Sequence, residues 1–385
     1  MKRQTSINAS DGTTTTMRTL STRPLRRLGA AAALGGLAVG SLALPQAPLT
    51  SRAQAAGTTR TVGPGVDLRA ALNSLHPGDT LALRPGTYHT GLVSPAPAST
   101  AVGADRKMSV GTAAARITVR AADPRNRPVI LGEIKLWGPS YWILDGLKVQ
   151  AVDATRDALY IGGGTGWVVR NSEFSGANNT GAYSNVTIGT DVYGTGAPRA
   201  FAFTGNCVHD AAHTNRSFTD HNIYVSYAGN SSSGGEISRN IIFNHPNGAG
   251  IKLGNGGVPG ARGPWGVQVA YNTVAQGGRQ VLLHGDVRGN TISRNILSTS
   301  TKRLGTSKLT TSVYLNLVVG GGNTFANNYA ASSSVFSFGK TARIGVDNAV
   351  RADPGFAGSG CGGFVPDNAK ATAYGRYGAG ALPTW

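Results

Sequence analysis

Five short alternating segments recur along the chain: RDALYIG (156–162), YSNVTIG (183–189), DHNIYVS (220–226), GAGIKLG (248–254) and GRQVLLH (278–284). Each carries an apolar residue at the same central place, Leu159, Val186, Ile223, Ile251 and Val281, and these centres lie 27, 37, 28 and 30 residues apart. A second set follows them, VVRNSEF, FTGNCVH, ISRNIIF, VAYNTVA and ISRNILS, which aligns Asn171, Asn206, Asn240, Asn272 and Asn295 at one shared position. A unit this small cannot bury its apolar face alone, so two strand types alternating in register predict a solenoid whose coils stack at ~4.8 Å. Asn suits the turn, because it tolerates the left-handed region and its amide can bond the Asn of the next coil.

Composition agrees with that architecture. Of 385 residues 55 are Gly and only 14% are charged, against usual shares of ~7% and ~25%. Helical bundles and coiled coils, which need Glu, Lys, Leu and Ala at a helical period, are disfavoured. The glycines follow no three-residue period, which excludes collagen, and 40% hydrophobic residues suffice for a core. An α/β barrel needs an amphipathic helix between successive strands, and none recurs. The expected class is all-β, one domain over residues 56–385, with coils from about 80 to 345 and a C-terminal tail over 346–385.

Residues 1–55 read differently. Arg18, Arg23, Arg26 and Arg27 precede an apolar run from Leu28 to Leu44, and Ala53-Gln54-Ala55 has the small-residue pattern of a cleavage site, the layout of an export signal peptide. Arg26-Arg27 permits a twin-arginine signal, but Leu25 stands where such signals usually carry Ser or Thr, so Sec and twin-arginine export both stay open. The expectation is a secreted, extracellular protein with no membrane segment once the signal is removed. The first 55 residues hold 7 of the 36 Lys and Arg and 1 of the 18 Asp and Glu, which leaves the remainder a net charge of +12. Such a field attracts polyanions. Nucleic acid is disfavoured, because no Lys/Arg-dense run interleaves with aromatics. The expected partner is an anionic polysaccharide, met by a monomer.

Residues 63–90 place a short amphipathic helix over 67–75, with Val66, Leu68, Ala71, Leu72 and Leu75 on its apolar side. The turn Pro77-Gly78-Asp79, an alternating strand over 80–83 and the turn Pro85-Gly86 follow. This segment resembles the N-terminal cap of right-handed parallel β-helix proteins of the pectate-lyase-like superfamily, in which a short helix covers the open end of the first coil. Further coils are readable in 115–149 and 321–330, and DNAVRADPGFAG (347–358) resembles closing segments of that superfamily. The resemblance spans nearly all of residues 60–360 and implies a right-handed parallel β-helix with a short N-terminal capping helix.

Side chains alternate faces along a strand, so the shared register sorts residues by direction. With Leu159, Ile223 and Ile251 inward, Tyr160, Thr187, Tyr224, Lys252 and Leu282 form one outward column, with Asn185, Asn222 and Gln280 adjacent. Asp157, His221 and Arg279 precede the strand centres and His284 closes the last strand. This is the densest set of titratable groups in a charge-poor chain, which marks a groove. β-Elimination on an acidic polysaccharide needs a base for the proton α to the uronate carboxyl, cations against that carboxylate and an acid for the leaving oxygen. Lys252, Arg279, His221 and Tyr224 are expected in those roles, with Asn222, His284, Tyr160 and Gln280 binding substrate. The stretch from GIKLGN (250–255) to VLLHGD (281–286) loosely resembles the Lys-then-Arg region of polysaccharide lyase family six, the alginate lyase and chondroitinase B group, which implies Lys252 as base. The sequence departs from that group in one respect: Leu283 stands where the family has Arg, directly before His284-Gly285, so Arg279 has to substitute.

Glycoside hydrolysis needs two carboxylates about 5 to 10 Å apart. Asp157, Asp220, Asp210 and Glu173 are the candidates, since Asp79, Asp145 and Asp353 read as turn residues. A uronan epimerase on the same scaffold and a non-catalytic cell-wall or glycan-binding protein are the other readings. His209 and His213 have the i, i+4 spacing of a helical metal pair, yet His209 aligns with Phe174 and Phe243 and is expected in a stacked aromatic column. No metal site or cofactor is expected; calcium stays open, although no short Asp-rich motif is present to hold it. Cys207 and Cys361, the only cysteines, are separated by about five coils, ~24 Å, unless the tail folds back. They are expected as two unpaired thiols.

Overall fold

The computed structural model describes residues 57–93, 109–152, 157–177, 184–191, 196–211, 220–226, 234–254, 262–299, 311–330, 335–338, 345–347 and 352–380. The expected export signal and His213 lie outside the described residues. What is described is almost entirely parallel β. A sheet of eleven strands forms the first face, from Thr59–Val62 and Thr80–Leu83 at one edge to Thr324–Ala326 and Gly345–Asp347 at the other. A sheet of fourteen strands covers two more faces. Short strands such as Lys148–Gln150, Glu173–Ser175 and Cys207–His209 make the second face, and Leu159–Gly162, Ser184–Gly189 and His221–Ser226 make the third.

Three longer strands, Val129–Trp137, Ile241–Leu253 and Thr273–His284, run through the bend between the second and third faces. Ile241–Phe243 pairs with Cys207–His209 on one side of that bend, and Ile251–Leu253 pairs with Ile223–Val225 on the other. In the coils between, the second-face strands Glu173–Ser175 and Cys207–His209 and the third-face strands Ser184–Gly189 and His221–Ser226 are separate. Within the stacked coils, eight strands thus form a circuit that closes on itself through Val129–Trp137 and Ile241–Leu253.

The inward columns match the repeat register. Leu159, Val186, Ile223, Ile251, Val281 and Val313 are paired in succession and fully buried. Such a column removes each branched side chain from water, worth about 1.5–3 kcal/mol apiece. The Asn column is also present, with a correction. The backbone N–H groups of Asn206, Asn240, Asn272 and Asn295 donate to the side-chain oxygens of Asn240, Asn272, Asn295 and Asn328 at 2.8–3.0 Å. Their amide nitrogens donate back to first-face carbonyls, of Val169, Phe203, Ile237 and Val269 respectively. Asn171 is not a member. Ala202–Thr204 pairs with Val168–Arg170, which puts Ser172 opposite Asn206, and the Ser172 N–H donates to Asn206. Asn171 sits one place earlier at φ 50°, in a left-handed column with Gly205, Arg239, Tyr271, Arg294 and Asn327. The same one-residue slip moves Phe174 into the core beside Phe203, and it is Ser175 that pairs with His209. His209 does stack on Phe243, ring centroids 4.8 Å apart.

The expected capping helix shrinks to six residues, Leu68–Asn73, with Asp67 accepting from the Ala70 N–H and Leu68, Ala71 and Leu72 buried. It is no distinct lid. Strand Thr59–Val62 precedes it and already extends the first face by pairing with Thr80–Leu83.

The tail overturns the expectation of free thiols. Cys361 is bonded to Cys207 across 154 residues of sequence, with Cα atoms 5.5 Å apart, because residues 352–380 fold back over the outside of the second face. The outward residues there are apolar: Ile241, Phe243, Ala275, Ile296 and Tyr329. Phe364 packs against Phe243, Tyr374 against Tyr329 and Ala371 beside Ile296. The Gly375 N–H donates to Arg294 O and the Arg376 N–H to Thr273 Oγ1. Among the described residues no helix is long and apolar enough to cross a membrane.

Candidate functional site

On the third face the register pairs Tyr160 with Thr187, Thr187 with Tyr224, Tyr224 with Lys252, Lys252 with Leu282 and Leu282 with Tyr314. Because their neighbours Ile223, Ile251 and Val281 point into the core, this column faces out. Lys252 is half-buried, and its Nζ lies 4.3 Å from the centroid of the Tyr224 ring. On its other side stands a small apolar cluster of Ala249, Leu282 and Tyr314, outside the main core. Burial against these groups disfavours the charged amine and lowers its pKa to about 8. Among the described residues no carboxylate pairs with it.

Three further basic groups surround this amine. His221 is buried, its ring 5.6 Å from that of Tyr224, and its Nδ1 accepts the Ala249 N–H at 2.9 Å. Burial, then the charges of Lys252 and Arg279, hold it well below the usual imidazole range, so it is neutral with its proton on Nε2. The Arg279 guanidinium lies 5.0 Å from the Tyr314 ring centroid and donates to Asn247 O. Burial lowers its pKa to about 10, which still leaves a cation at neutral pH. His284 is half-buried and lowered by burial and by Lys252. Gly254, at φ 132°, lets that strand end against the next, since a Cβ there would run into the His284 carbonyl.

The remaining expected site residues divide by place. Asn222 is fully buried at the bend, donating to Phe243 O and accepting from Asn185, and Gln280 is fully buried, donating to Gly277 O. Both lie behind the column and brace the bend, with His245 packed over Gly277. Tyr160 is in the column, three strands from Lys252, with its hydroxyl donating to Thr190 O. Asp157 falls in register with Ser184 and His221 on the third face, and Asp220 is buried directly before His221. Asp210 is elsewhere. On the second face it accepts from His209 Nδ1 and Asn244, and Glu173 accepts from Lys148 and Arg127 alongside. Burial alone would raise Glu173, but the hydrogen bonds from His209 and Lys148 outweigh it and hold its pKa at about 2, while Asp210 and Glu173 outweigh burial to raise His209 to about 9. Cys207, His209 and Cys361 also approach one another, but the two sulfurs are spent in the disulfide.

Sequence reasoning missed Tyr314 and His245. TSVYLN (311–316) repeats the apolar–polar alternation of the five aligned segments and would have placed Tyr314 in the column; nothing local marks His245, whose burial depends on the bend.

Fold and site together define a parallel β-coil protein with a cationic and aromatic column on one outer face. No family model matches the chain, and no curated protein matches it. Among solved structures it is similar to pectate lyase Pel9A, at 17% identity over 74% of this chain and 80% of that one, with a TM-score of 0.44. It is similar also to an alginate lyase from Paenibacillus sp. str. FPU-7, at 14% identity over 74% of this chain and 99% of that one, TM-score 0.41. A PL6 alginate lyase solved in complex with a trisaccharide is 16% identical over 71% of this chain and 59% of that one, TM-score 0.45.

Proposed function

We propose that this chain is a secreted polysaccharide lyase that cleaves an anionic, uronate-containing polymer by β-elimination, working as a monomer on a right-handed parallel coil. The observation that carries the reading is Lys252: an outward amine with a pKa of about 8, among basic and aromatic groups. At pH 7 about a tenth of such an amine is neutral and able to act as base.

In the proposed reaction Lys252 Nζ takes the proton α to the uronate carboxyl. The electron pair left on carbon forms the C4–C5 double bond as the bond to the leaving O4 breaks, and the Tyr224 hydroxyl protonates that oxygen. The Arg279 cation supplies field against the carboxylate charge that grows in the transition state, the neutral His284 imidazole donates a hydrogen bond to the substrate, and neutral His221 orients the Tyr224 side of the site. Hydrolysis by Asp157 and Asp220 is the second reading, favoured only by their place on the same face.

The test is a panel of alginate, polygalacturonate, chondroitin, hyaluronan and neutral glycans, followed both by the ultraviolet absorbance of an unsaturated product and by reducing ends. The expected result is an unsaturated product from a uronate polymer, lost by roughly 10²-fold or more in Lys252→Ala and nearly as fully in Lys252→Arg, whose guanidinium cannot serve as base. Reducing ends without absorbance, or full activity in Lys252→Ala, would overturn it and move attention to Asp157 and Asp220.

A further inference from the structure

The outward column does not begin at Tyr160. One coil earlier the register adds Lys135, paired with Tyr160, and beside it Trp137, paired with Gly162. All three side chains are half-buried. The Trp137 and Tyr160 rings lie 5.0 Å apart, and Lys135 Nζ sits 5.2 Å from the first ring centroid and 4.7 Å from the second. Both rings lie down on glycine. A Cβ at Gly162 would come within 2.7 Å of the Trp137 ring, and one at Gly189 within 2.7 Å of the Tyr160 hydroxyl. Two aromatic rings with one ammonium lying over both thus occupy, among the described residues, one end of the column that holds Lys252.

This arrangement repeats the Lys–Tyr contact of the candidate site, where Lys252 lies over Tyr224. Four register steps separate Lys135 from Lys252, ~19 Å along the coil axis. A pyranose unit of an extended polymer advances by about one coil spacing. Its apolar ring face stacks on an aromatic plane, and a uronate unit brings a carboxylate to a neighbouring ammonium.

We propose that Trp137, Tyr160 and Lys135 form a distal subsite holding one uronate unit of the polymer about four units away from the unit at Lys252, with the sugar chain laid along the coil axis. The proposal deepens the lyase reading and rests on its uronate polymer, but not on the chemistry at Lys252. Its consequence is selectivity for length: fragments of three units or fewer cannot span both places.

The experiment compares long polygalacturonate and alginate with their purified trisaccharides. Binding to the Lys252→Ala protein is measured by affinity electrophoresis, and kcat/KM with Lys252 present. Trp137→Ala and Lys135→Met should each weaken polymer binding about tenfold and lower the ratio of kcat/KM on polymer to that on trisaccharide by a similar factor, through KM. Trp137→Phe should recover part of the loss. Trp265→Ala, which removes a ring lying over Arg288 outside this column, is the control and should leave the ratio alone. Near-ultraviolet circular dichroism checks that each variant is folded. Loss of polymer binding in Trp137→Ala with no unsaturated product from the parent would keep the subsite and sink the lyase reading. Turnover with no dependence of the length ratio on Trp137 or Lys135 would keep the lyase reading and sink the subsite.

Discussion

Lys252 shows how burial alone tunes a side chain. Tyr224 and Leu282 flank it in register, water is excluded from one side, and the charged form loses hydration that no carboxylate among the described residues replaces. The lowered pKa means that the folded state binds a proton less tightly than the unfolded state, so it costs stability at neutral pH. That cost is present below about pH 8 and disappears as pH rises towards the ordinary lysine value of 10.5. Lys252→Met is therefore expected to melt at a higher temperature than the parent at pH 7, with the difference closing above pH 8, as thermal unfolding across pH would show. If Lys252 is the base, kcat/KM on a uronate polymer should rise with pH at unit slope and level off near pH 8; a profile that falls over that range would exclude it.

At the scale of elements, the turn between the first and second faces rests on two columns one residue apart. The left-handed residue only needs a backbone that tolerates φ near 50°, and Gly205, Arg239, Tyr271 and Arg294 all stand there. The Asn that follows makes specific bonds. Asn272 accepts the Asn240 N–H, donates to Ile237 O and donates to the Asn295 side chain, all buried. Asn272→Gly leaves a buried N–H and a buried carbonyl without partners, and should cost about 2–4 kcal/mol in denaturant unfolding. Asn171→Gly loses one bond to Asp145 but relieves a left-handed residue, and should change stability by less than about 1 kcal/mol. Equal losses at the two positions would defeat the distinction.

For the whole molecule, the folded-back tail decides what the second face is for. An outward row of Ile241, Phe243, Ala275, Ile296 and Tyr329 is unsuited to water, and residues 352–380 cover it. Cys207–Cys361 closes a loop of 154 residues, so it removes many conformations from the unfolded chain. Cys361→Ser, or reduction of the parent, should cost about 2–5 kcal/mol. Proteolysis should then cut within 352–380 while leaving the coils from 117 to 299 intact, as mass spectrometry of the fragments would reveal. Such a bond persists in an oxidising compartment, which supports the proposed export.

Period-two alternation and the spacing of apolar centres are local properties of the chain, and they were enough to place Leu159, Val186, Ile223, Ile251 and Val281 in one inward column and Tyr224 and Lys252 in one outward column. The same local signal could not tell Asn171 from Ser172 as the partner of Asn206, because Asn also suits the left-handed place one residue earlier, which Gly205, Arg239, Tyr271 and Arg294 fill in the later coils. Nor could it distinguish Asn222 and Gln280, buried at the bend, from residues open to substrate: which side of a corner faces water depends on how neighbouring coils are broken or continuous there. The register of the outward column, from Tyr160 and Thr187 through Tyr224 and Lys252 to Leu282, was written in the sequence. The burial that lowers Lys252, the carboxylate network around His209 and the bond between Cys207 and Cys361 arise only when coils far apart in sequence, and the tail across them, come into contact.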